Sequence, residues 1–337
     1  MKLRYFIIRR LLLMVPVLLG LSVLTFAMSH LLPGDPARLA AGPRASDEMV
    51  KVIAHEYGLD QPLPVQYVIY LGNLLQGNWG KSMDSQRPVL DEIQRFFPAT
   101  LELVLVSMLM AFALGVPLGV VAARFRNRWP DQFASILALT SVIFPRFWLA
   151  LMLQLLVANL LNLLPINGRY DSAATPPAGI TGLFLVDSVL QGNGTAFIIS
   201  LKHIFLPALV QSVGAMASIT RMVRSDVLEV MTRDFVTMER SAGIPERIIL
   251  GKYVLKNSFI STLTTVGLFF GFSLGGSVLV ETVFDWPGIG LYAVKSAFIT
   301  DFQPIMGVTL VIGFSFMFVN LFVDVLYSVL DPRIRYG

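Results

Sequence analysis

A chain of 337 residues carries 26 Lys and Arg against 22 Asp and Glu, with 55% hydrophobic and only 14% charged residues and a mean hydropathy of +0.69. Soluble domains carry about a quarter charged residues, so this composition excludes a water-facing surface all round and defines an integral membrane protein. The absence of cysteine excludes disulfides, thiolate chemistry and Cys-based metal sites, and His30, His55 and His203 are too scattered for a metal-ligand pattern.

Six apolar runs approach the roughly 20 residues needed to cross a bilayer. They are 11–29, 101–123, 134–160, 203–223, 259–284 and 304–330. The basic start MKLRYFIIRR imitates a signal peptide, but the apolar run behind it is too long for an h-region and PGDPAR is a poor cleavage site, so the first run reads as a retained span. The 30–100 stretch follows, opening on the turn sequence LLPGDP. Ser46-Asp47-Glu48 suits a helix N-terminus, helical spacing continues to Leu75, and GNWGKSM reads as a turn with one aromatic. After span 3, residues 161–202 read as loop with one short apolar helix over 182–190.

Basic residues set the topology. The N-terminal tail, the loop after span 2, the 221–256 stretch and the C-terminal tail together hold sixteen of the 26 Lys and Arg, whereas the 30–100 loop balances six basic against eight acidic residues. The positive-inside rule therefore puts both termini and the 224–257 loop in the cytoplasm, and the 31–100 and 161–202 segments outside. The net charge of +4 is largely this signal and calls for no nucleic-acid partner.

Arg146, in FPRFW, falls inside span 3, where an arginine costs about 2.5–3.5 kcal/mol unless it faces protein or water. Two readings stand open: it lines a translocation path and attracts an anionic part of a substrate, or it pairs with a buried acid, for which Glu281 and Glu102 are the candidates. Gly271, Gly275 and Gly276 put small residues on one face of span 5, for close packing or for a hinge. ETVFDWPGIG leaves that span through a tryptophan expected at the membrane interface, and Asp324 is expected to be anchored by Arg333 or Arg335.

The 234–258 stretch, DFVTMERSAGIPERIILGKYVLKNS, is a polar island between spans 4 and 5 with seven charged residues. Pro245 favours a first helical position and biases Ile244 away from helix. A helix over 245–256 places Glu246 near its positive end and Lys252 and Lys256 near its negative end. A second helix is expected over 225–242, giving a helix–turn–helix platform below the membrane.

That island resembles the cytoplasmic "EAA" loop of ABC-transporter permeases, with Glu239, Arg240, Ser241, Ala242, Gly243, Ile244 and Pro245 where the motif falls. Further blocks resemble the dipeptide/oligopeptide/nickel permeases, specifically the first permease of the pair: RRLLLMVPVLLGLSVLTF, LLPGDPA, YGLDQPLPVQY, GNWGKSM, ATLEL, LEV at 228, LKNS, ETVFDWPGIG and VNLFVDVLYSVLDPRIR. Three positions depart from the pattern: Ala242 where a basic residue is usual, Ser261 where a proline is usual, and Arg146 where a small or apolar residue is usual.

The resemblance implies an all-α membrane protein with six transmembrane helices of the type I ABC importer permease kind. Residues 1–30 form the tail and first helix, 31–100 an ordered extracytoplasmic segment, 101–330 the permease core with its coupling loop at 224–257, and 331–337 the C-terminal tail. It implies a bacterial inner-membrane location and a peptide-like cargo. The implied partners are a second permease subunit, two ATPase subunits that hold the ATP and Mg, and an extracytoplasmic substrate-binding protein, with membrane lipid around them. Arg146 and Glu281 are the candidate path residues.

No cofactor is expected on this chain, and no phosphate loop, HExxH or GxSxG is present, so a membrane enzyme is disfavoured and the energy for uphill transport must come from elsewhere. A secondary transporter or channel is the alternative, but it predicts intramembrane acid or histidine relays and inverted repeats, which the sequence does not display.

Overall fold

The computed structural model describes residues 3–31, 37–38, 45–56 and 58–330. Most of LLPGDP and the tail residues Arg333 and Arg335 lie outside these, as does the side chain of Ser261. Within the described residues the chain is helical. Helix α1 spans Leu3–Leu31, α2 Asp47–Glu56, α3 Leu63–Leu75, α4 Val89–Arg124, α5 Trp129–Ile143 and α6 Arg146–Leu153, which is prolonged as π-helix Gln154–Leu160. Then come α7 (Phe184–Leu190), α8 (Gly194–Val230), α9 (Asp234–Ser241) and α10 (Glu246–Ile248). The last is joined through π-helical Ile249–Val254 to α11 (Leu255–Gly276), followed by α12 (Val278–Val283), α13 (Ile289–Phe298) and α14 (Phe302–Leu330).

Among the described residues, α1, α4, α8 and α14 are each long and apolar enough to cross a membrane, and α5 with α6 make a fifth span if the bent pair counts as one. The expected fifth run, 259–284, is not one helix. It stops at Gly276, where the Ser277 hydroxyl donates to the Leu274 carbonyl at 3.0 Å and to Glu281 Oε1 at 2.8 Å, and α12 starts afresh. Of α11, the stretch Thr265–Gly276 qualifies as a shorter apolar helix.

The core is built on α4 against α8. These helices have 36 and 37 residues. Each therefore reaches about 54 Å at about 1.5 Å per residue, far beyond the hydrocarbon core of about 30 Å. Glycines let them approach: a Cβ at Gly119 would stand 2.7 Å from the Thr220 carbonyl oxygen. The Thr220 hydroxyl donates across to the Gly115 carbonyl at 3.2 Å, the small-residue contact that apolar solvent favours. Gly271 serves the same end, since a Cβ there would meet Phe316 of α14 at 2.8 Å.

The start of α5 and the C-terminal part of α8 are clamped together. Arg224 donates from Nε to Asp131 Oδ1 at 2.5 Å and from Nη2 to Oδ2 at 2.9 Å, and Asp131 also accepts the Asn127 N–H at 2.9 Å. Asp324 pairs with Arg10 of α1 at 2.9 Å, because α1 and α14 run side by side and bring the two charges to the same level; Arg333 and Arg335, expected to anchor it, lie outside the described residues.

Trp286 also departs from expectation. Instead of standing at the membrane interface it is 1% exposed, and its Nε1–H donates to the Ala99 carbonyl at 2.9 Å. The α12–α13 turn folds back over the N-terminal part of α4, so the indole becomes a wedge inside the protein.

Candidate functional site

The polar island is built from its turn outward. Helix α8 ends at Val230, where the Thr232 hydroxyl donates to the Glu229 carbonyl at 2.7 Å. Such a bond competes with continuation of the helix. The expected helix over 225–242 is therefore two elements, the end of α8 and α9.

Helix α9 closes in a Schellman motif. The Gly243 N–H donates to the Arg240 carbonyl at 3.0 Å and the Ile244 N–H to the Glu239 carbonyl at 3.2 Å. Gly243 sits at φ 77°. The five-residue run from Glu239 to Gly243 thus has a backbone reason: glycine is needed at the left-handed position. Pro245, at φ −59° and ψ 140°, then starts the next helix at Glu246.

Arg240 and Glu246 fork across this turn, Nη2 to Oε1 at 2.8 Å and Nε to Oε2 at 3.3 Å. The Arg240 guanidinium holds the Glu246 carboxyl below its ordinary value of 4.5, and Glu246 holds Arg240 above its own. An acid depressed in the folded state contributes stability above its unfolded pKa and loses it as pH falls through the depressed value. Near neutral pH the fork is therefore charged on both sides.

Val236 and Ile249 are buried beneath the turn and tie it to the core. Arg240, Ser241, Ala242, Gly243 and Pro245 are exposed, flanked by Met238 at 64% and Ile248 at 47% exposure. The arrangement is a rigid, preformed knuckle with apolar shoulders, tied by its own helices to the membrane core.

Arg146 sits at a break. Phe144 is extended and Pro145 lacks an amide hydrogen, so α5 cannot continue. The axis turns by 106° between Trp129–Ser141 and Arg146–Leu160. The half-buried Arg146 opens α6 and reaches between α8 and α11. There a Cβ at Gly276 would lie 2.8 Å from Nη1 and one at Gly214 3.3 Å from Nη2, so the two glycines create the room it occupies. One turn along, Gln211 donates to the Ser273 carbonyl at 2.9 Å, and its Oε1 is buried without a partner.

Neither expected acid pairs with Arg146, and among the described residues no ion pair engages it. Glu102 is bound to Arg169, Nη2 to Oε2 at 2.6 Å. Glu281, expected on a substrate path beside Arg146, is corrected to a structural role. It is 0% exposed; Oε1 accepts the Thr100 hydroxyl at 2.7 Å and the Ser277 hydroxyl at 2.8 Å, and Oε2 accepts the Leu291 N–H at 3.0 Å. Thr100 in turn accepts the Ile289 N–H at 2.9 Å, so the pair caps the N-terminus of α13, where a carboxylate is favoured. A side chain so enclosed does not face a path.

Sequence reasoning missed Arg169, which lay in a segment read as plain loop. Its guanidinium also donates to the Gly182 carbonyl at 2.6 Å and stacks 3.8 Å over Phe184. Asp187, 0% exposed, organises the same corner. Burial opposes its ionisation, but hydrogen bonds from the Thr181 side chain and from the backbone N–H groups of Thr181 and Gly182 outweigh this and hold the carboxyl below its ordinary value. The available signal was Glu102 itself, an acid in an apolar run that had to find a cation. No cluster of three or more His, Asp or Glu among the described residues is placed to hold a metal ion.

The family model described as "Binding-protein-dependent transport system inner membrane component" matches residues 115–336, and the corresponding N-terminal model matches residues 3–104. Among curated relatives, a probable D,D-dipeptide transport system permease protein of Escherichia coli is 44% identical over 96% of this chain and 95% of its own length. A dipeptide transport system permease protein of Alkalihalophilus pseudofirmus is 40% identical over 97% and 98%. A glutathione transport system permease protein of Salmonella paratyphi A is 38% identical over 98% and 99%. Among solved structures, a chain of the MetNI methionine ABC transporter in inward-facing conformations aligns at a TM-score of 0.49 and 16% identity over 77% of this chain and 97% of that one, a likeness too loose to bear on any residue.

Proposed function

Because the chain belongs to the family of binding-protein-dependent transport system inner membrane components, we propose that it is a permease subunit of an ATP-driven ABC importer for dipeptides or similar short peptides. It forms half of a translocation pathway completed by a second permease, has six spans with both termini in the cytoplasm, and carries no catalytic centre. Two ATPase subunits dock below and an extracytoplasmic binding protein delivers cargo above. The observation that carries the coupling role is the Schellman-closed knuckle at Glu239–Pro245, preformed, exposed and tied to the core through Val236 and Ile249. The peptide cargo follows the dipeptide and glutathione systems of the relatives.

An ion-coupled carrier is not favoured. The relatives are transport-system permeases, and the acids inside the apolar runs are spent on structure: Glu102 on Arg169, Asp324 on Arg10 and Glu281 on the α13 cap.

Mechanistically, ATPase closure pushes the knuckle, and α9 and α10 carry the displacement into α8 and α11, which border Arg146. The test is uptake by the whole complex reconstituted in vesicles. Removal of ATP abolishes uptake, and Gly243→Val lowers it about 5- to 30-fold, because a left-handed position costs a residue with a Cβ about 1–2 kcal/mol. The site on Gly243 is otherwise open, so no steric clash contributes. Uptake that persists without ATP sinks the importer reading, and an unaffected Gly243→Val sinks the coupling role.

In the same reading Arg146 lines the path and attracts the carboxylate of the cargo. A charge-assisted hydrogen bond contributes about 1.5–3 kcal/mol. Arg146→Ser is therefore expected to reduce uptake of a free-acid dipeptide about tenfold or more and to leave its C-terminally amidated counterpart within about twofold. Equal losses for the two cargoes contradict the charge-reading role.

A further inference from the structure

Helix α3, Leu63–Leu75, has no charged residue in its thirteen, although it belongs to the segment that balances six basic against eight acidic residues outside the membrane. Its tyrosines reach α1. Tyr67 Oη lies 2.8 Å from Ser22 Oγ and Tyr70 Oη 3.1 Å from Thr25 Oγ1, with the Phe26 ring 5.4 Å from Tyr67 and 5.7 Å from Tyr70. Ser22 and Thr25 are inside the apolar run Ile7–Met28. At about 1.5 Å per residue Ser22 lies about 9 Å below the outer end of that run. Hydroxyls at such a depth need protein partners because water is scarce, and here each finds one. The Gln66 side-chain amide is likewise spent locally, on the carbonyls of Leu59 and Gln61 at 3.0 and 2.7 Å.

Away from the tyrosines α3 is bare and apolar, with Val68 and Leu75 66% and 90% exposed, and Leu63, one turn before Tyr67 on the tyrosine stripe, is 57% exposed. This surface continues that of α1, whose apolar window is only 11% buried and whose Val23 and Leu24 are exposed next to the tyrosine contacts. A bare apolar face in water is rare and costly, whereas the same face against acyl chains is at rest.

We propose that α3 is seated in the outer leaflet of the bilayer, pinned to α1 by Tyr67 and Tyr70, with Leu63, Val68 and Leu75 facing lipid. The segment between α1 and α4 is then anchored in the membrane through α3, while the charged α2 stays in water. The proposal rests on the orientation given above.

This chain has no cysteine of its own, so single labels are placed on it before the complex is assembled. Nitroxides on Val68→Cys and, separately, Leu63→Cys are measured in the assembled complex in vesicles, by collision with oxygen and with a neutral nickel chelate. Leu24→Cys is the lipid reference and Asp47→Cys the water reference. Both α3 labels are expected to match Leu24, with an oxygen-to-nickel ratio severalfold above that of Asp47. A ratio like that of Asp47 puts α3 in water and overturns the proposal. Low access to both reagents overturns it in favour of a protein cover, such as the second permease. A Leu24 label open to nickel would instead refute α1 as a membrane span, a distinct failure.

Discussion

Arg169→Met is expected to destabilise the assembled complex by about 3–5 kcal/mol, the usual cost of stranding one partner of a buried ion pair. Arg169 is 9% and Glu102 4% exposed at the side chain, so the remaining carboxylate could not recover its water. Glu102 would retain only the Leu185 N–H, which donates to Oε1 at 2.7 Å. The stacking over Phe184 would also be lost. The double variant Arg169→Met with Glu102→Leu is expected to recover most of the loss, because well-packed apolar replacements of a buried pair are neutral or stabilising. Thermal denaturation of the complex in nanodiscs, with the double-variant cycle, measures this. A single variant costing under about 1 kcal/mol would mean that the pair behaves as an exposed one.

Glu281→Ala is the second large effect, expected at about 3–5 kcal/mol. It strands the Thr100 hydroxyl and the Leu291 N–H in a dry seam, while the Ser277 hydroxyl keeps the Leu274 carbonyl, and each buried donor without an acceptor costs about 1–3 kcal/mol. The damage would centre on the α12–α13 turn, because that turn is held to α4 by Thr100, Glu281 and the Trp286 bond to Ala99. Glu281→Gln keeps Oε1 as an acceptor but turns an NH2 toward the Leu291 N–H, so a smaller loss is expected. Protease sensitivity of the loops flanking α12 and α13 together with the denaturation midpoint reads the outcome. A Glu281→Ala complex with native stability and altered cargo preference would restore Glu281 to the path.

The polar island shows where sequence reasoning reaches and where it stops. Gly243 and Pro245 marked the turn in advance, because a left-handed glycine and a helix-starting proline are local requirements. The break at Met231–Arg233 was not visible, because Thr232 is as compatible with a helix interior as with the hydrogen bond that ends α8 here. Trp286 was misjudged for a related reason. Its neighbours read as an interface, yet the chain doubles back and buries it against Ala99, 187 positions earlier in the chain. Arg146 was flagged because a charge in an apolar run is conspicuous. Its surroundings were not, because Gly214 and Gly276 become informative only once the fold sets them against the same guanidinium.

The sequence by itself determined the membrane class, the helical character and the position of the turn at Gly243 and Pro245. All of these follow from composition, charge counts and residues whose preferences act within a few positions. The tertiary structure alone decided which charges meet: Glu102 with Arg169, Asp131 with Arg224, Asp324 with Arg10, and Glu281 with the start of α13. Those partners are 67 or more residues apart in the first three cases and in the last are 10 apart across the α12–α13 turn. The pairing is therefore set by helix packing in a medium where no polar group can be left to solvent.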